Sequence, residues 1–239
     1  MAIALNVFQE QKDLKNKKRL NEGYRLVGNH SAVKICAYCK KAIKGQDVCY
    51  KNTFYGIESW RCVQMSPTFF CDHRCVFCWR DIEYVWPKWQ GPVDDPKDIV
   101  DGCIKAHVEL LQGFKGNPKT VEERLKEMGK PLHFAISLTG EPTMYPRLPE
   151  MIDYLKEKGI TVFLVTNGTI PDMVEKLINH QPTQLYIGVY GSNKDMHQRT
   201  ANPITKDAWE KLQKSLSMMH KFKRNVMRLT LTKGFNFMD

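Results

Sequence analysis

Apolar and polar positions fall into two alternating rhythms from about residue 97 onward. In Asp98–Leu111 the residues Ile99, Val100, Cys103, Ile104, His107, Val108 and Leu111 recur at three- and four-residue spacing, which predicts an amphipathic helix. Leu132–Leu138, Thr161–Val165, Gln184–Val189 and Val226–Leu231 are short, mostly apolar runs that predict buried strands. Between them Leu148–Glu157, Met173–Ile178 and residues 205–222 read as helices, and residues 113–130 as a polar connector with one helical turn or more. Strand and helix in alternation predict an α/β fold, a parallel sheet with helices packed outside it. Three strands run into polar, glycine-containing ends: Thr139-Gly140-Glu141-Pro142, Thr166-Asn167-Gly168 and Thr232-Lys233-Gly234. These lie at the C-terminal edge, where such folds place their chemistry. Residues 1–70 show no comparable rhythm. The chain stops soon after a predicted strand, so a barrel of this kind is expected to be open, or the chain truncated.

Composition narrows the class. The chain has 239 residues, 42% hydrophobic and 26% charged, as in an ordinary globular protein of one large or two small domains. No apolar run approaches the roughly 20 residues of a membrane helix. The first residues place their apolar stretch ahead of their charges, the reverse of a secretory signal, so a cytoplasmic protein with no membrane partner is expected. The net charge is +10 and the isoelectric point about 9.1. Five Lys and Arg fall between Lys12 and Arg19, and others at Lys211, Lys214, Lys221, Lys223, Arg224 and Arg228. Each run alone reads as a solvated helix face, but the whole-chain excess favours a polyanionic partner, RNA or DNA.

The cysteines carry the sharper signal. Of eight, seven fall between positions 36 and 78, a packing that suggests metal rather than disulfides. Cys71, Cys75 and Cys78 form a Cys-x3-Cys-x2-Cys motif. Three thiolates this close can share one iron–sulfur cluster and leave an iron open for a ligand. A structural zinc site needs a fourth protein ligand, for which His73 is at hand. With Phe77 before the last cysteine, and with Gly140-Glu141-Pro142 behind a strand, the sequence resembles the radical S-adenosylmethionine superfamily. The resemblance implies a four-iron four-sulfur cluster whose open iron chelates S-adenosylmethionine and cleaves it to methionine and a 5′-deoxyadenosyl radical. It places Gly140 and Glu141 at the cofactor, with the Glu141 carboxylate accepting from the substrate ammonium. Asn167 either touches the cofactor or forms a simple Asn-Gly turn.

A narrower resemblance follows. Cys49-Tyr50-Lys51, Phe54-Tyr55-Gly56-Ile57, Arg61-Cys62, Cys78-Trp79-Arg80, Gly116-Asn117-Pro118-Lys119 and Leu138-Thr139-Gly140-Glu141-Pro142-Thr143 are similar to the tRNA 4-demethylwyosine synthases, from about residue 20 to the C-terminus. The resemblance implies a second four-iron four-sulfur cluster on Cys36, Cys49 and Cys62, which stand 13 and 13 residues apart. It implies that Lys51 forms a Schiff base with pyruvate, its pKa lowered by confinement. The substrate implied is tRNA-Phe bearing N1-methylguanosine, held by its anticodon stem-loop. The fold implied is a partial, open β/α barrel of the radical type, residues 67–239, behind an N-terminal cysteine-rich extension, residues 1–66. A flavodoxin-like domain of the eukaryotic relatives is not recognised, so an external donor of flavodoxin or ferredoxin type is expected.

Other readings stay open. Cys36, Cys39, Cys49 and Cys62 could build a closed four-thiolate zinc site. The chain could act on another substrate with an auxiliary cluster, or serve as a zinc-stabilised RNA-binding module. Cys103 reads as a core residue on a helix face. Trp79, Trp86 and Trp89 could stack an extruded base or simply pack. Gly188-Val189-Tyr190-Gly191-Ser192 departs from the small or acidic residues of the family, whereas Arg199-x-x-Asn202-Pro203 fits it.

Overall fold

A computed structural model describes residues 17–79 and 85–237. The apolar start, with Lys12 and Lys15 of the first basic run, lies outside the described residues. Seven strands form one sheet in sequence order: β1 (Tyr24–Val27), β2 (Ser31–Lys34), β3 (Cys62–Ser66), β4 (His133–Ile136), β5 (Thr161–Thr166), β6 (Gln184–Val189) and β7 (Asn225–Leu229). β1, β2 and β3 pair antiparallel, and β3 to β7 pair parallel. The sheet is open, with β1 and β7 at its edges. The cysteine-rich extension and the core therefore share one sheet, joined through β2 and β3.

Alternation along each strand sorts two faces. Val63, Met65, Phe134, Ile136, Val162, Leu164, Leu185 and Ile187 point outward into the main core. They meet the apolar stripes of α3 (Pro96–Leu111), α5 (Leu148–Glu157), α6 (Pro171–Leu177) and α8 (Ala208–Ser217). Two short helices, α1 (Ala37–Ile43) and α2 (Tyr50–Tyr55), precede β3, and α4 (Glu122–Glu127) lies in the predicted connector. The inner face carries the intervening residues, among them Cys62, Phe163, Val165, Tyr186 and Gly188. Those are the residues available for chemistry.

The predicted elements of the core are present, with local adjustments. Asp95 caps α3 by accepting from Lys97 N at 2.8 Å, and Pro96 opens its first turn. β4 ends at Ile136, before the predicted Leu138, because Ser137 N and Leu138 N both donate to Met65 O at 3.1 Å and leave the ladder. The helix expected over 205–222 spans only Ala208–Ser217. Ser217 Oγ then donates to Lys214 O at 2.7 Å and the chain tightens into a 3₁₀ turn at Met219–Lys221. α7 (Lys194–Ala201) was not legible, since its stripe is hydrophilic; Asn193 caps it by accepting from Met196 N at 2.9 Å. Cys103 is buried on α3, as expected.

His107 gives the core a pH dependence. It is 0% exposed on α3, with neither ring nitrogen hydrogen-bonded among the described residues. Burial pushes its pKa down to about 4. The neutral ring is the folded form, so its contribution is present above about pH 6.5 and is lost as pH falls toward 4. At pH 5 the loss is about 2 kcal/mol. Urea unfolding of His107→Leu at pH 7.5 and pH 5 should show that much less acid sensitivity than the parent chain. Equal sensitivity in the two chains would contradict the assignment.

Candidate functional site

The motif cysteines sit on the loop that follows β3, and neighbouring segments fix that loop before any ligand is considered. Asp72 is 4% exposed; its Oδ1 accepts from Asn167 Nδ2 at 2.7 Å and its Oδ2 from Thr169 Oγ1 at 2.5 Å. On the other side the loop pairs with the chain behind α7: Arg74 N donates to Asn202 O and Val76 N to Thr200 O, both at 3.0 Å, and Ile204 N donates to Asp72 O at 2.9 Å. Asn202 adopts a left-handed φ of 43°, which turns its carbonyl toward the loop. The Arg199-x-x-Asn202-Pro203 motif thus has a place as the rail on which the cysteine loop rests.

Gly140 closes the loop from β4. Its φ is +64°, and a Cβ there would strike Thr68 O and lie 2.7 Å from Phe70 O. Only glycine permits this approach, and it lets Glu141 N donate to Phe70 O at 2.7 Å, one residue before Cys71. Glu141 is 2% exposed. Its Oε1 accepts from Thr143 N at 3.0 Å and from Thr143 Oγ1 and Thr166 Oγ1 at 2.6 Å, and its Oε2 from Asn167 N at 2.7 Å. The carboxylate expected to meet a substrate ammonium therefore first organises the ends of β4 and β5, with one lone pair of Oε2 remaining. Burial raises its pKa to about 7, against the opposing pull of those hydrogen bonds. Asn167 does more than turn the chain: it ties Glu141 to Asp72.

These residues enclose a cavity of about 350 Å3 lined by Cys71, Cys75, Cys78, Glu141, Asn167 and Tyr190. Burial raises the Cys71 thiol well above its ordinary range and the Cys75 thiol to about 12. Such thiols stay protonated without a metal to hold their charge. His73 packs instead among aromatic rings, with Tyr190 at 6.3 Å and His197 at 5.7 Å between centroids. Three thiols on one loop, a fourth side facing a cavity, and a buried carboxylate across it fit an open iron–sulfur cluster with S-adenosylmethionine. Among the described residues, no three His, Cys, Asp or Glu side chains form a single-ion site. Tyr190 marks the departure at the end of β6. Its hydroxyl fills the space over Gly188 where a Cβ would stand, so the two residues are coupled.

A second thiol group lies at the opposite end of the strands. Cys36 and Cys49 stand at the N-caps of α1 and α2, and Cys62 opens β3. Lys51, in the first turn of α2, is 9% exposed with Nζ 4.9 Å from the Phe163 ring centroid. Burial opposes its charge, but Cys62, Cys49, Tyr50 and Cys36 favour it, and its pKa lies above the ordinary lysine value. The expected lowering does not occur, because the walls carry thiols rather than cations. Cys39 lies near Cys62 and Cys36, yet its thiol is buried among Ile35, Ile43, Leu111 and Met128 and points at Trp60 O, 3.8 Å away. In this structure its thiol packs in that apolar group. Phe163 and Val165 project from the same face of β5, and Val165 lines the first cavity. β3 itself runs about 13 Å from Cys62 to Ser66, and the loop of Cys71 follows its far end.

The tryptophans divide. Trp79 is 70% exposed at the mouth of the cavity, and Trp86 is exposed with its backbone N–H donating to Cys71 O at 2.9 Å. Trp89 packs at 4.7 Å against His30, a core role. In the basic run, Lys211 pairs with Asp207 at 3.1 Å and Lys214 with Asp172 at 3.4 Å on solvated faces. No described helix is long and apolar enough to cross a membrane. Asp72, Thr143, Thr166 and Thr169 were missed from the sequence; Asp72 alone had a signal, its place between motif cysteines.

Residues 65–239 match the Radical SAM superfamily. The S-adenosyl-L-methionine-dependent tRNA 4-demethylwyosine synthase of Pyrococcus abyssi is 42% identical over 218 residues, 89% of this chain and 64% of that protein. The Mus musculus enzyme of the same name is 41% identical over 90% of this chain and 30% of its own length. A solved structure of TYW1 with a lysine–pyruvate adduct bound superposes with a TM-score of 0.82 at 36% identity, covering 95% of this chain and 72% of that one. The chain thus spans about two thirds or less of the relatives it matches. From the cysteine loop, the Gly-Glu-Pro turn and these likenesses together, the chain belongs to the radical S-adenosylmethionine superfamily and, within it, to the family of the tRNA 4-demethylwyosine synthases.

Proposed function

We propose that the chain condenses the N1-methylguanosine of tRNA-Phe with pyruvate to form 4-demethylwyosine. The observation that carries this reading is Lys51: a buried amine beside Cys36, Cys49 and Cys62, on the inner face of the sheet whose other end holds the radical motif. A relative's solved structure carries a lysine–pyruvate adduct, which supports the same role for this lysine.

The roles divide between the two ends of the strands. The Cys71, Cys75 and Cys78 thiols would hold a four-iron four-sulfur cluster, with Gly140, Glu141 and Asn167 against S-adenosylmethionine. That cluster, when bound, supplies the electron that cleaves the cofactor to methionine and a 5′-deoxyadenosyl radical. Cys36, Cys49 and Cys62 would hold a second four-iron four-sulfur cluster. Lys51 attacks the pyruvate ketone, loses water and holds the substrate as a Schiff base. Its neutral form is the nucleophile, so the ammonium gives up a proton before it attacks. The Phe163 ring and the buried wall around it exclude water from the captured substrate. An external donor of flavodoxin or ferredoxin type supplies the electron, the anticodon stem-loop is the part of the tRNA held, and the cytoplasm is the compartment.

The chain, reconstituted anaerobically with iron and sulfide, should hold roughly eight irons, about four per three-thiolate cluster. Given S-adenosylmethionine, a reductant, labelled pyruvate and tRNA containing N1-methylguanosine, it should form a tricyclic base carrying the label. Release of 5′-deoxyadenosine without label in the RNA would move the chain to another substrate.

A further inference from the structure

Beside the radical cavity lies a second one of about 390 Å3, lined by Lys18, Arg19, Glu22, Tyr24, Lys34, Phe69, Trp79 and Thr139. Phe69, Trp79 and Thr139 line both cavities, so the second adjoins the first at its mouth. Its chemistry differs. The first is built of thiols and a buried carboxylate; the second has three cations, one carboxylate and three aromatic rings. Cations and rings are already arranged face to face: Arg19 Cζ lies 4.1 Å from the Phe69 centroid, and Lys34 Nζ lies 4.5 Å from that of Tyr24 and 6.0 Å from that of Trp79.

We infer that this cavity is the subsite for the nucleotide flanking the one presented to the radical, taking its phosphate on Lys18, Arg19 and Lys34 and its base on Trp79. The inference rests on an RNA substrate, as proposed above, and adds where the strand is gripped. Three features point to a nucleotide. Lys18, Arg19 and Lys34 bring three positive charges to one wall, and charge-assisted hydrogen bonding to phosphate oxygens is the chemistry such a wall offers. Trp79 is 70% exposed at the shared rim, and a large exposed ring beside cations is a stacking platform for a base of a single strand. Glu22 gives the cavity an acceptor, which suits a base edge bearing N–H donors and not a bare phosphate. The shared wall then holds the flanking nucleotide beside the mouth of the first cavity, where the reacting one is presented. Phosphate contacts fix register without reading sequence, which is what a site must do to aim one methyl group at a radical.

The test is fluorescence anisotropy of a labelled anticodon stem-loop against the full chain, reconstituted anaerobically, across a salt series. Lys18→Ala with Lys34→Ala should weaken binding at least 10-fold and reduce the slope of log affinity on log salt by about two, one per lost phosphate contact. Trp79→Ala should weaken binding about 10-fold with the slope unchanged. Lys221→Ala with Lys223→Ala, on exposed residues of the C-terminal basic run, is the control and should match the parent chain. Iron content and thermal midpoint of each variant show that it is folded. The subsite is overturned if the paired Lys variant binds like the parent, or if the control pair loses as much, since diffuse charge would then suffice. It is also overturned if a free nucleoside monophosphate binds these residues as tightly as the stem-loop. A parent chain with no affinity for any tRNA would bring down the substrate reading itself and the subsite with it, whereas a parent that binds with unaltered variants spares that reading.

Discussion

Lys51→Ala is expected to lower product formation from pyruvate by about 1,000-fold or more, because covalent capture converts a bimolecular encounter into a held neighbour. Arginine in its place should not rescue, since a guanidinium stays protonated and cannot attack a ketone. Borohydride-type reduction gives a readout apart from turnover. Labelled pyruvate should be trapped on the parent chain at one equivalent or less and not on Lys51→Ala, with the mass increase on the peptide of α2. Normal incorporation of pyruvate by Lys51→Ala, or trapping elsewhere in the chain, would remove the Schiff base from the mechanism. The α2 backbone tolerates the change: Lys51 O accepts from Ile57 N at 3.2 Å, a bond that alanine keeps, and the side chain lies beside the cysteines.

The second large effect is expected at Cys75. Cys75→Ala removes one of the three thiols on the loop, and release of 5′-deoxyadenosine should fall by about 1,000-fold or more, to the background of reductant alone. Iron should drop from roughly eight to roughly four per chain, the second site keeping its share. Two comparisons give this its meaning. Cys103→Ala, in the core of α3, and Cys39→Ala, in the apolar group beside Trp60, should both keep the full iron content. Roughly four irons with about one zinc in the parent chain, the zinc lost from Cys39→Ala, would restore the four-thiolate reading of the N-terminal region.

The legibility of the chain follows its physics. Helices α3 and α5 and strands β5 and β6 were readable because each is amphipathic or apolar over enough residues to carry its own period. The N-terminal strands were not. β1 and β2 are four residues each, set by pairing with each other and, through β2, with β3 rather than by local pattern. α7 was hidden by its hydrophilic stripe. In the site, the motif cysteines and the Gly-Glu-Pro turn were evident because their spacing is chemistry in itself. The contacts among Asp72, Asn167, Thr169 and Glu141 were not, since they join residues up to 97 positions apart. The direction of the Lys51 shift was misjudged for the same reason: which charges surround an amine is a property of the fold.

β3 has a consequence for which changes the molecule can absorb. It carries Cys62 at its first residue and leads from its last, Ser66, toward the loop of Cys71. Insertions at the exposed Lys115-Gly116 turn behind α3 meet little resistance, for a surface loop lengthens at small entropic cost. An insertion of one residue in β3 turns Cys62 from the inner face to the outer, and an insertion of two moves it about 7 Å along the barrel. Under the proposed reaction, the length of β3 would act as a ruler between the place where a radical is made and the place where a carbon fragment waits.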